Sequence, residues 1–199
     1  DFTEVVVSAS DSLLIGDATD SGNTKRDTVQ GILDLVPSAG ITLGTPVAAT
    51  SGTAIDFTGI PAGTKSIKIS LSGVSVSASI GVVVQLGDSG GMEVTSGYAS
   101  GAAGITTTVV AESATDSLMF YTDNLASASQ LFSGTMYLTL ENSSAFTWVA
   151  TSVGTRHASY ILGVSAGRYS LSSELTQLRI TTTDGSSTFD AGEINISYE

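Results

Sequence analysis

Cysteine is missing from all 199 residues, so neither a disulfide framework nor a thiolate site exists. That absence suits folding in a reducing compartment. Basic residues are scarce too: seven Lys and Arg stand against nineteen Asp and Glu, for a formal charge of −12. The cations lie apart, at Lys25, Arg26, Lys65, Lys68, Arg156, Arg168 and Arg179. Nucleic-acid phosphates need clustered cations, so direct DNA or RNA binding is disfavoured. The acidic excess instead keeps many copies soluble and apart from other acidic surfaces. Long apolar runs are also lacking. None approaches the roughly 18 consecutive residues of a membrane helix, and no membrane insertion is expected. The chain starts at Asp1 rather than Met, the expectation being a processed chain or a piece of a longer one. No charged-then-apolar leader can be read there.

What is present is β-forming sequence. Hydrophobic residues make up 41% of the chain, enough for a core, and they stand in short runs between Ser, Thr, Gly and Asn. Ile67, Ile69 and Leu71 alternate with Ser66, Lys68 and Ser70; Met136, Leu138 and Leu140 alternate with Thr135, Tyr137 and Thr139. Ile194, Ile196 and Tyr198 follow the same rule, which is that of a half-buried strand. Ile80 to Leu86 is a more continuous apolar run, as for a strand covered on both faces. Turn signals fall at Gly87-Asp88-Ser89-Gly90-Gly91, Asn142-Ser143-Ser144 and Asp184-Gly185, the last a favoured hairpin dipeptide. Residues 41–199 therefore read as an all-β domain, an antiparallel β-sandwich or jelly roll. No fixed period marks a solenoid or propeller.

Residues 1–40 read differently, as strand, strand and short helix. Val5 to Val7 and Leu13 to Ile15 are the expected strands, and 17–23 is a polar loop. Val29, Ile32, Leu33 and Val36 recur at the spacing of one helical face, with Thr24 as the cap, Asp27 near the positive end of the dipole, and Pro37 as the stop. So small a segment cannot bury a core alone. It is expected to pack on the main domain or on copies of itself, and those four apolar residues are the candidate trimer interface.

The stretch Thr50-Ser51-Gly52-Thr53-Ala54-Ile55-Asp56-Phe57-Thr58-Gly59-Ile60-Pro61 resembles the opening of a C-terminal domain common in bacteriophage tail-fibre and related virion proteins. Gln85-Leu86-Gly87-Asp88-Ser89-Gly90-Gly91 is similar to its central strand and turn. Thr147-Trp148-Val149-Ala150, Leu178-Arg179-Ile180-Thr181-Thr182 and Thr188 through Glu199 extend the likeness in order, from about Pro46 to the C-terminus. Segments like 10–35 also precede such domains. The resemblance implies a virion component made in the bacterial host cytoplasm. It implies a homotrimer joined to other virion proteins through its N-terminal segment and concerned with host attachment, with a host-surface glycan as the partner sought. It supplies no residue-level site. A head fibre or capsid decoration protein is the alternative, and a polysaccharide-degrading enzyme the second alternative.

Chemistry in the sequence is sparse. His157 is the single histidine, and no Gly-x-Ser-x-Gly elbow accompanies it, so no enzyme is expected. Asp88 with Glu93, Asp116 with Asp123, and Asp190 with Glu193 are the nearest carboxylate pairs of the kind that hydrolyses glycans. Each lies in or near a polar or Gly-containing connection, where turn-forming Asp is the ordinary finding. The segment 17–23 is similar to a calcium loop, but Thr28 stands where a bidentate Glu belongs. No metal or cofactor is expected. Two Asn-x-Ser sequons, at Asn142 and Asn195, are chance matches in a Ser-rich chain. Trp148, flanked by Phe146 and Val149, reads as core. Tyr98, His157 and Tyr160 stand in polar or Gly-rich surroundings and are the candidate ligand-binding residues.

Overall fold

The computed structural model describes residues 8–17, 21–33, 40–105, 109–122, 130–157 and 161–199, with backbone alone for Asp17 and Leu33. Contacts divide the chain into two units, Asp1–Gly40 and Ile41–Glu199.

In the first unit a hairpin pairs β1 (Ser12–Asp17) with β2 (Asn23–Thr28), and a short helix α1 (Val29–Leu33) follows directly. The expected strand at Leu13 to Ile15 is present; the one at Val5 to Val7 lies outside the described residues. Two expectations are corrected. Thr24 lies inside β2, opposite Gly16, and the helix cap is Thr28, whose Oγ1 accepts from the Gly31 N–H at 3.0 Å. Residues 24–28 are thus strand rather than the start of the helix, because pairing with residues 12–16 satisfies their backbone groups. Of the candidate helical face, Val29 and Ile32 are half-buried, while the Leu33 side chain and Val36 lie outside the description. Leu13, Leu14 and Ile15 stand exposed on β1.

The second unit is an antiparallel β-sandwich. Alternation sets its strands: Ile67, Ile69 and Leu71 are buried along β6 (Ser66–Val76), as are Met136 and Leu138 on β12 (Phe132–Asn142) and Ile194 and Ile196 on β16 (Phe189–Tyr198). The larger sheet also holds β3 (Thr42–Leu43), β4 (Val47–Ala48), β9 (Ala99–Ile105), β10 (Val109–Ala114), β13 (Thr147–Arg156) and β14 (Ile161–Ser170). Its order is β10-β9-β14-β13-β12-β6-β16-β3, with β4 also on β16. The smaller sheet runs β11-β7-β15-β5, built from β5 (Ala54–Thr58), β7 (Val82–Asp88), β11 (Leu118–Met119) and β15 (Gln177–Thr182); β8 (Gly91–Met92) pairs with β7. Val82, Val83, Val84 and Leu86 are all buried, so the continuous apolar run on β7 is covered on both faces.

One core joins the sheets, with Trp148, Phe120, Tyr121, Phe132 and Phe189 among its largest members. Trp148 is a core residue, as its neighbours in sequence indicated. Its Nε1 has no hydrogen-bond partner, and it borders a cavity of about 30 Å³, room for a single water. The turn at Asp184-Gly185 is present but closes no hairpin: β15 and β16 belong to different sheets, so it carries the chain across the sandwich.

Candidate functional site

Tyr98 is not a loop aromatic open to ligand. It is 3% exposed, and its ring stacks on Tyr169 with centroids 3.9 Å apart. The cause lies in the edge of β7. Beyond β15, its neighbours are β11, opposite Val83 and Val84, and β8, opposite Gly87 and Asp88. Leu86 falls in the gap. Its N–H donates to the Tyr98 hydroxyl at 2.7 Å, and that hydroxyl donates on to the Glu93 carbonyl at 3.0 Å. Tyr98 thus replaces a missing ladder partner. Burial, then the nearby tyrosine and carboxylates, push its pKa above the ordinary phenol value, so it stays a neutral donor. Tyr169, whose hydroxyl donates to Glu93 at 3.3 Å, is raised by burial and by that carboxylate.

His157 is exposed just after β13, with its Nε2 2.8 Å from Ser133 Oγ. Ser133 also accepts the Gly73 N–H at 2.9 Å, where a register shift between β6 and β12 frees that donor. A serine on a histidine is the first contact of a catalytic triad. Among the described residues no carboxylate is hydrogen-bonded to the ring, and the Gly73 N–H is already held by Ser133. The pair closes a bulge. Tyr160 lies outside the described residues. So does Asp123, and with it the pair it made with Asp116. Asp88 is buried and accepts from the Ser172 hydroxyl at 2.7 Å and the Ser173 N–H at 3.0 Å. Asp190 accepts from Ser75. These two carboxylates brace turns and strands. Among the described residues no cluster of His, Asp and Glu gathers to hold a metal, and residues 18–20 of segment 17–23 lie outside that description.

The polar concavity lies elsewhere, on the outer face of the smaller sheet. Strand register puts Arg179 on β15 between Asp56 on β5 and Gln85 on β7, and the next outward row is Ala54, Thr181 and Val83. Arg179 grips Asp56 with both prongs, Nε to Oδ1 at 2.7 Å and Nη2 to Oδ2 at 2.8 Å, which raises its own pKa further. The guanidinium is thereby fixed to β5 in a planar two-bond pairing. Asp116 and Ser117 border the groove together with the 182–185 turn, and about 370 Å³ lies between them. A second hollow of about 420 Å³ shares Asp116, Ser117 and Thr183 and continues toward β10.

No family model, curated protein or solved structure matches this chain. The groove's chemistry is therefore read from its own residues.

The 182–185 turn is rigid because the Asp184 carboxylate accepts the Ser187 and Ser186 N–H groups at 2.9 Å each, and the Ser187 and Thr182 hydroxyls at 2.7 and 2.8 Å. Those bonds, led by the Ser187 N–H, hold its pKa well below the ordinary aspartate range. Thr181 is locked to the Thr53 carbonyl at 2.8 Å. The lining is thus fixed and rich in planar polar side chains, and Asp116 and Asp184 outweigh an Arg179 already neutralised by Asp56. Such a surface suits hydroxyl-bearing neutral or amino-bearing ligands and repels anions. Sequence reasoning passed over it. The available signal was one opposite-charged outward residue on each of two alternating strands, Asp56 and Arg179, but their pairing spans 123 positions.

Proposed function

We propose that this protein is a subunit of a trimeric bacteriophage appendage whose β-sandwich binds a neutral or amino-bearing host-surface glycan. The groove on the smaller sheet is the binding site. The observation that carries this reading is a groove lined by Arg179, Gln85 and Asp116, with Arg179 held from the neighbouring strand by Asp56. Adjacent sugar hydroxyls pair naturally with planar carboxylate, guanidinium and amide groups, and the bidentate ion pair keeps those groups in place without a ligand. The separated sequence blocks similar to phage fibre domains support the virion setting, and the net charge of −12 suits display in many copies. Exposed Leu13, Leu14 and Ile15 in the first unit support a role for that unit in attachment to other virion proteins. Weak single sites on one assembly gain their grip from effective concentration.

The test is binding of the full chain to susceptible cells and to immobilised glycans of defined charge. Arg179→Ala is expected to weaken binding about tenfold or more, the size of one lost hydrogen bond involving a charged group (about 1.5–3 kcal/mol), and Gln85→Ala about two- to tenfold, the size of a neutral one (about 0.5–1.5 kcal/mol). Folding should survive, because the Arg179–Asp56 pair is partly exposed and worth only about 0–1 kcal/mol. Neutral glycans should bind and polyanionic ones should not. Wild-type protein that binds no susceptible cell, with particles lacking it infecting normally, would replace recognition by a decoration role.

A further inference from the structure

The outer face of the larger sheet presents a second surface, of opposite character. Strand register lines up Val153, Val164, Ala103 and Ala111 in one outward row across β13, β14, β9 and β10. Leu162, Ile105 and Val109 form the next row, and Tyr137 on β12 stands beside Thr151. Val109 is 69% exposed, and Val153 and Ile105 are each more than two-fifths exposed. Side chains this apolar and this small make a shallow, flat face whose hollow over Ala103 and Ala111 is open to solvent.

Charge is the telling feature. Nineteen acidic residues are spread along the chain, yet β9, β13 and β14 contain none. Glu112 on edge strand β10 pairs with the inward Ala102, so its side chain leaves from the opposite side of the strand while its residue borders the hollow. Among outward positions of these four strands, and of β12 as far as Thr139, Arg168 is the single charged residue. Two chains of charge −12 repel each other across almost any other approach.

We infer that this face packs against the same face of another copy of this chain. The inference rests on the multi-copy assembly proposed above and names the surface that carries it. Self-packing needs no complementary shape when both surfaces are flat and built of small residues, and stacked sheets sit about 10 Å apart without clash. Five strands at about 4.8 Å spacing and seven residues at about 3.3 Å give a footprint of about 550 Å². Counting both copies, that clears the roughly 1,000 Å² a specific interface needs.

Sedimentation of the full chain, from about 1 to 100 μM and at low and high salt, tests it. Wild type should exceed the single-chain mass of 20.1 kDa, and more so at high salt, where repulsion between copies is screened. Val153→Asp and Val164→Asp should return the mass to 20.1 kDa with unchanged β-type circular dichroism. Val153→Thr, uncharged and β-branched, should associate as wild type does. If the Asp variants associate like wild type, this face is not the interface, although the assembly itself stands. If wild type stays at 20.1 kDa throughout, the inference and the multi-copy reading both fall, whatever else binds the face.

Discussion

Tyr98 shows how one side chain is claimed by the ladder around it. Composition placed it in a polar connection, the usual setting of a binding aromatic. Nothing in that stretch of sequence reveals that the Leu86 N–H lacks a backbone acceptor, since beyond β8 the chain returns only the Glu93 N–H, to the Leu86 carbonyl, at 2.9 Å. A buried N–H left unpaired is costly, so the phenol is drawn inward. Tyr98→Phe should therefore lower stability by about 1–3 kcal/mol, by stranding the Leu86 N–H. Tyr98→Ala should cost about 3–5 kcal/mol by also opening a cavity beside Tyr169. Urea denaturation measures both, and a loss within about 0.5 kcal/mol for the Phe variant would show that the hydroxyl is not needed there.

At the scale of elements, β6 and β16 run side by side through two register shifts between Phe189 and Glu193. These bulges depend on Gly192, whose φ of 90° is one that L side chains rarely adopt. A Cβ there would also drive into the Gly73 carbonyl on the neighbouring strand, where backbone cannot step aside cheaply. Gly185, with φ of 63°, has open space where its Cβ would be. Gly185→Ala should thus cost only about 1 kcal/mol of backbone strain. Gly192→Ala should cost clearly more, above about 3 kcal/mol when clash is added to strain. Equal urea midpoints for the two variants would remove close packing as the reason for the bulge.

For the whole molecule, four titrating groups bound the pH range of stability. Asp184 and Asp88 both titrate below the ordinary aspartate value, Asp88 chiefly through the Ser172 hydroxyl and against the opposing effect of burial. A depressed carboxylate stabilises the fold above its unfolded pKa, about 3.9. That contribution is lost as pH falls through the lower folded value. Tyr98 and Tyr169 are shifted the other way, so their contribution holds below about pH 10 and is lost as pH rises past it. Urea midpoints should be level between about pH 5 and 9, then fall on both sides. Asp184→Asn should flatten the acid limb, and an unchanged limb would mean that the 182–187 loop melts without consequence for the fold.

Period-two alternation along Ser66–Leu71, Thr135–Leu140 and Ile194–Tyr198 by itself determined the all-β class, since each strand's burial pattern is local and follows from side chains facing opposite sides of a pleat. The covered run on β7, the core place of Trp148 and the turns at 87–91 and 142–144 were legible for the same reason. Only the tertiary structure decided which strands became neighbours. The two partners of Arg179, at 56 and 85, are fixed by the order β7-β15-β5, and the acid-free face by the order β10-β9-β14-β13-β12. Register between distant segments depends on how two sheets bury their inward residues together, a cooperative choice that no single stretch of sequence encodes.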